Sequence, residues 1–302
     1  MAFLADNIGT FVRPAAGRRA ALFRERPLNT LTRWALGSVW AIKKGGVAGL
    51  GGLARVGLEE LMAPDFALPD PEAALAHPPG LAGIVHDLSV ETLVAAYSCG
   101  LFPFSHLPPL KWWSPPSRAV LFFEDHHFSR TIRAKMREPR YTVTFDRDFE
   151  GVIVACAGRR AGRWPLTWIT PRIMRAYADL FDAGYAHSFE VWNKAGELVG
   201  GGYGVAVGAS FSGESQFSLE NNTSKIGLTA LNYHLARWGY HFDDGKINTP
   251  TTHAMGFREI PRTDYLSRLS RAVAAPGKNG RWQVEADLPE IANWQLRPSC
   301  GH

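Results

Sequence analysis

Two β-rich segments and the run after them decide the fold: Glu197-Leu198-Val199-Gly200-Gly201-Gly202-Tyr203-Gly204-Val205-Ala206-Val207, then Ser210-Phe211-Ser212-Gly213-Glu214-Ser215-Gln216-Phe217, then Ser224 to Trp238. The first two read as the arms of a β-hairpin turning at Gly208, and the third carries the spacing of a helix. The glycines invite comparison with a dinucleotide-binding fingerprint. However, the G-x-G-x-x-G spacing fails and the segment reads as strand rather than as a strand-turn-helix. Moving outward toward the N-terminus, His187 to Trp192 alternates like a strand and Met174 to Ala183 like a helix. Before them come a helix from Phe149 to Ala157, a strand at Tyr141 to Phe145 and a short basic helix from Ser129 to Arg137. On the other side, Phe242 to Ile247 and Arg258 to Pro261 read as late strands. Strands alternating with helices predict an α/β (α+β) protein, a mixed sheet with helices on its faces.

Nearer the start, Asp87-Leu88-Ser89-Val90-Glu91 reads as a helix entry, with Asp87 or Ser89 as the cap and Gly100 as the stop. Phe102-Pro103-Phe104 and Lys111-Trp112-Trp113-Ser114-Pro115 read as an aromatic, proline-bounded loop pair, with Trp112 and Trp113 as core residues, leading into a strand at Ala119 to Phe123. Residues 1–62 form a basic Gly/Ala/Arg-rich extension, with nine Lys/Arg against four acids. That difference is the whole net charge of +5. The remainder is balanced, so a nucleic-acid site there has to be a local patch. The apolar stretch Trp34 to Leu53, broken by Lys43-Lys44 and glycines, is too interrupted to span a bilayer. It reads as a partly helical extension, with contact at a membrane surface or RNA as the alternative. Its composition predicts that the head is dispensable for folding. The three cysteines, Cys99, Cys156 and Cys300, form no close pair, which excludes a disulfide framework and fits a reducing cytoplasm. Ten scattered histidines offer no metal-ligand spacing, and neither a metal nor a cofactor is expected.

A series of short strings in one order resembles the leucyl/phenylalanyl-tRNA-protein transferases from about residue 66 to 270. They are Phe102-Pro103, Trp112-Trp113-Ser114-Pro115, Arg118-Ala119-Val120, Thr167-Trp168-Ile169, His187-Ser188, Glu190-Val191-Trp192, Gly213-Glu214-Ser215, Ser224-Lys225 and Glu259-Ile260-Pro261-Arg262. The resemblance implies a small N-terminal α/β domain, residues 63–125, an acetyltransferase-like catalytic domain, residues 126–275, and a C-terminal tail, residues 276–302. It also implies aminoacyl transfer from a charged tRNA to an amine of an acceptor protein or peptide. Such a reaction turns an ester into an amide, so the donor is already activated. The site has to position the amine and stabilise the tetrahedral oxyanion.

By the same resemblance Asp244 orients or deprotonates the attacking amine, and Glu214 lies near the substrate's own amino group. On residue types alone, both carboxylates read equally well as partners of buried Arg or Lys. Trp168 and Phe104 fall at adenosine-contacting positions, where an aromatic face can stack on a base. Phe104 departs from the tryptophan expected there. Arg130, Arg133, Lys135, Arg137 and Arg140 form a basic cluster where the family contacts the tRNA backbone, a solvated basic face being the other reading. Gly202, Gln216 and Lys246 depart from a bulky apolar residue, an apolar residue and a glutamine. Gly202 is expected to leave a void in the donor's side-chain pocket unless aromatics such as Phe211 and Phe217 refill it. Gln216 brings an amide to that pocket, and Lys246 is expected to pair with Asp244 or to hold an acceptor carboxylate. The donor is therefore expected to have moved away from leucine and phenylalanine. Two further readings stand beside protein N-terminal transfer: transfer to a small-molecule, peptide or lipid amine, and a catalytically silent tRNA-binding relative.

Overall fold

A computed structural model describes residues 16–24, 51, 52, 54–58, 62, 67–105, 109–158 and 167–294. A short helix α1 (Ala16–Leu22) opens it, followed by β1 (Leu81–Ile84), α2 (Val90–Ser98), β2 (Phe102–Phe104) and β3 (Lys111–Trp113). Next come β4 (Ser117–Leu121), α3 (Arg130–Arg137), β5 (Tyr141–Phe145), α4 (Phe149–Ala157), α5 (Pro171–Asp182) and β6 (Ala186–Asn193). The hairpin β7 (Leu198–Val207) and β8 (Ser210–Ser218) precedes α6 (Thr223–Arg237), β9 (Phe242–Lys246), α7 (Pro250–His253), β10 (Arg258–Pro261), α8 (Arg262–Ala274) and α9 (Leu288–Ala292). Among the described residues, no helix is long and apolar enough to cross a membrane.

The strands make two sheets. β1, β3 and β2 form a small antiparallel one, and seven strands form the other in the order β10-β4-β9-β8-β7-β6-β5. β4 lies inside the segment assigned from sequence to the smaller domain, yet it pairs with β9 and β10 and so belongs to the larger sheet. Every neighbouring pair in that sheet is antiparallel except β8 with β9. Alternation along the hairpin sorts side chains to two faces. Tyr203, Val205 and Phe217 pack with α2, α4 and α5, whereas Ala206, Phe211 and Phe189 of β6 pack with α3, α6 and α9. Gly202 and Gly204 are required by close approach. A Cβ on Gly202 would lie 2.7 Å from the Phe189 ring, and one on Gly204 would lie 2.3 Å from that of Phe211. The helices begin where their caps predict: Ser89, Ser129, Asp148 and Thr170 each accept a hydrogen bond from a backbone N–H in the first turn.

Three readings of the sequence need correction. The aromatic loop pair is two strands, with Phe102 paired to Trp113 and Phe104 to Lys111. Three-residue strands interrupted by proline are too short to show alternation. The head is more than an appendage. Arg19 donates to both oxygens of Asp182 at 2.7 and 2.9 Å and to Glu150 at 2.8 Å, and Phe23 is buried in the core beside α4 and α5. Deleting residues 1–62 would strip a partner from Glu150, itself only 2% exposed, so the extension contributes to folding. Most of the Trp34 to Leu53 stretch lies outside the described residues. The third correction concerns the C-terminal segment, which packs as core: Trp282 is fully buried and stacks on His187 with ring centroids 3.7 Å apart.

Candidate active site

Among the described residues, the sole parallel pairing in the large sheet is brief. It ends at Ser212 against Asp244, and beyond that point Gly213-Glu214 and Gly245-Lys246 part company. Lys246 closes β9 with a φ of 62°, a left-handed backbone unusual for a side chain of this size. That twist lets its N–H donate to Asp244 Oδ1 at 2.9 Å while its side chain swings toward β8. A β-bulge between Tyr203 and Gly204 coincides with Glu214, whose carboxylate projects to the face covered by α2 and α5.

Asp244 is only 1% exposed and fully engaged. Arg118 of β4 clasps it through Nε at 2.9 Å and Nη2 at 2.8 Å, while Ser212 Oγ and the Tyr265 hydroxyl donate at 2.9 and 3.1 Å. Burial works to raise its pKa. The Arg118 guanidinium, with Lys246 behind it, overrides burial and holds the carboxyl below the usual range. A carboxylate so held is a poor proton acceptor, which favours orienting over deprotonating. Glu214 sits in a second cage. It accepts from Tyr97 at 2.6 Å, Tyr177 at 3.0 Å and Lys246 Nζ at 2.5 Å. Both phenols are pushed well above their ordinary value, by burial first and then by the carboxylate, so they remain donors. Lys246 therefore pairs with Glu214 rather than through its side chain with Asp244, and its Nζ has a second anchor at the Gly213 carbonyl, 2.7 Å away.

The aromatic candidates adjoin this cage. Phe104 and Trp168, both half-buried, meet with centroids 5.8 Å apart, and Trp168 meets Tyr177 edge-on at 6.2 Å. A flat ring laid on Phe104 or Trp168 would be one side chain away from Glu214. Gly202 and Gln216 pair across the hairpin on the opposite face, toward α6. No void lies beside Gly202, because Phe189 fills it; Phe211 sits instead against Gly204 and Trp282, and Phe217 faces α4. The expected cavity is thus corrected, and by an aromatic ring other than the two anticipated.

The basic cluster stands apart from both carboxylates. Arg133 donates to the Ala292 carbonyl and lies over Phe128, Arg137 donates to Asn293 at 2.7 Å, and Arg140 pairs with Glu220 at 2.8 Å. Two of the five thus hold the end of α9, while Arg130 and Lys135 make no such contact among the described residues.

Sequence reasoning assigned no role to Arg118, Tyr97, Tyr177 or Asp243. Arg118 was visible only as part of a motif, and its pairing needed the β4–β9 register to appear. Asp243 is 1% exposed on the α6 face, and burial, followed by the Asp244 charge, raises its pKa to about 8. The folded protein therefore keeps a proton there that an unfolded aspartate loses near pH ~3.9. Stability falls as pH rises from that value through about 8. Asp243→Asn removes this dependence. Thermal melts at pH 5 and pH 8 should show the variant gaining on the parent at the higher pH, and an equal difference at both would contradict the assignment.

The family profile described as leucyl/phenylalanyl-tRNA protein transferase matches residues 120–270, and the profile for that family's N-terminal domain matches residues 86–116. A leucyl/phenylalanyl-tRNA–protein transferase of Azotobacter vinelandii is 43% identical over 76% of this chain and 95% of its own length. One from Pseudomonas syringae pv. syringae is 46% identical over 76% and 94%. Among solved structures, a crystal structure of FemX overlaps 49% of this chain and 60% of its own at 12% identity, with a TM-score of 0.39.

Proposed function

Because this chain belongs to the leucyl/phenylalanyl-tRNA–protein transferase family, we propose that it transfers an aminoacyl group from a charged tRNA to the N-terminal α-amine of an acceptor protein. The observation that carries the reading to particular residues is the pair of caged carboxylates at the parting of β8 and β9, with Phe104 and Trp168 beside them. The terminal adenosine stacks on those rings, which brings its ester to the cage. Glu214 takes the ammonium of the aminoacyl group, sharing its oxygens with Lys246. Asp244, ionised and fixed by Arg118, orients the attacking amine. The amine nitrogen bonds to the ester carbonyl carbon, the bond to the ribose oxygen breaks, and that oxygen takes up the proton the amine gives up. The Lys246 ammonium stands close enough to this centre to stabilise the negative charge on the tetrahedral oxygen. The exposed Arg130 and the half-buried Lys135 offer positive charge to the tRNA backbone, positioning it without reading sequence.

The test supplies the purified protein with a complete set of charged tRNAs and two peptides, one with a free N-terminus and one acetylated. A mass increase of one amino-acid residue on the free peptide alone is the expected result. Modification of neither peptide would overturn the reading.

A further inference from the structure

α1 lies outside the span that the family profiles match, and the mechanism gives it no part. It pairs with acids of both α4 and α5. Arg18 holds Asp148, the cap of α4, at 2.6 Å, and Arg19 bridges Glu150 of α4 to Asp182 of α5 through bonds of 2.7 to 2.9 Å. Just past the helix, Phe23 is buried against the same two helices, and its carbonyl accepts from Arg175 of α5 at 3.2 Å.

What these pairs leave at the surface is positive. Arg24, Arg172 and Arg175 are exposed and form no ion pair among the described residues, while Asp179, the acid that remains on this face of α5, already lies in the field of Arg19 and Arg175. Arg172 and Arg175 stand three apart on α5 and hence on one side of it. Arg24 follows Phe23, so the extension brings a third guanidinium to the same region. This strip starts at the aromatic pair, because Trp168 and the cap Thr170 lead directly into α5. The α3 cluster, by contrast, packs with α6 and α9 against the other face of the sheet. A strand whose terminal base lies on Phe104 or Trp168 therefore meets α5 before it meets α3.

We propose that α1 and the N-terminal half of α5 form a docking surface for the phosphate backbone of the donor tRNA next to its aminoacyl end, with Arg24, Arg172 and Arg175 as the contacts and Arg18 and Arg19 as the residues that hold α1 in place. This inference rests on the transferase reading above. A guanidinium meets phosphate oxygens with two N–H donors at once, and such contacts position a nucleic acid without reading its sequence. Arg18 and Arg19 also answer the negative charge that Asp148, Glu150 and Asp182 would otherwise turn toward the phosphates. The extension thus makes the strip acceptable to a polyanion as well as adding to it.

The experiment measures equilibrium binding of charged tRNA to the full-length protein over a range of salt concentrations, with the double variant Arg24→Glu, Arg172→Glu beside the parent. Both side chains are exposed, and Arg24→Gln with Arg172→Gln asks the same question by neutralisation should the reversal disturb folding. Lys194→Glu with Arg271→Glu is the control, changing the net charge equally at exposed positions off the strip. In the strip variant, affinity is expected to fall by about tenfold or more at about 0.1 M salt, with the slope of log K against log salt shallower by roughly 2; the control is expected to stay within about twofold of the parent. An unchanged slope, or an equal fall in the control, overturns the proposal and leaves the transferase reading standing. So does a loss of binding to phosphatidylglycerol vesicles with tRNA affinity intact, which would give the surface to a membrane instead. A parent protein that binds no charged tRNA overturns the transferase reading itself.

Discussion

Asp244→Asn is expected to slow transfer by roughly 10²–10³-fold while the affinity for charged tRNA stays near that of the parent. The asparagine keeps the shape, and with its oxygen in the place of Oδ2 it still accepts from Ser212 and Tyr265, whereas its NH2 in the place of Oδ1 gives up the bonds from the Lys246 N–H and Arg118 Nε. What it loses is the negative charge that Arg118 holds in place and whose field orients an incoming amine beside the clasp. Displacing a reacting group by an ångström is enough to cost about a hundredfold. The effect is one of orientation, since the depressed pKa leaves Asp244 little capacity to take a proton. Asp244→Ala should abolish transfer altogether but is the poorer probe, because it also leaves Arg118, 1% exposed, as a buried cation without its counterion.

Arg118→Ala has the largest expected effect on stability. The guanidinium makes both bonds to Asp244, donates to the Gly100 carbonyl at 2.9 Å, and packs over the rings of Phe102 and Tyr265. Its removal strands a buried carboxylate and an unmet carbonyl together, a change that typically costs about 3–5 kcal/mol. For a chain of this size a loss of that order lowers the melting temperature by roughly 5–8 °C. Arg140→Ala is the natural control, because its pair with Glu220 is exposed and solvent already screens it. A melting temperature that falls no further for Arg118→Ala than for Arg140→Ala would show that the buried pair does not hold β4 and β9 together.

The framework of the large sheet was legible because its elements are long and punctuated. The hairpin around Gly208, the basic helix ending at Arg137 and the strand from Tyr141 all lie within a residue or two of where spacing and caps put them. What escaped were features created by distance in sequence. Phe23 and Trp282 become core only when segments far apart close over α4 and His187, and nothing in their local pattern marks them as such. Gly202 was read as a missing side chain, whereas the neighbouring strand had already supplied Phe189 to its place. The two carboxylates could be singled out from sequence only through resemblance. The alternative, that they pair with buried basic residues, describes their geometry equally well: Asp244 meets Arg118 and Glu214 meets Lys246. Pairing and function coincide because a fixed charge is what an orienting site requires.

The account's central claim is that the buried Asp244–Arg118 pair positions the reacting amine. Its most direct test is single-turnover transfer by Asp244→Asn at saturating charged tRNA, with equilibrium binding of the same tRNA measured alongside. The predicted result is a rate lower by at least about a hundredfold with binding changed by less than about twofold. A rate equal to that of the parent protein would contradict it.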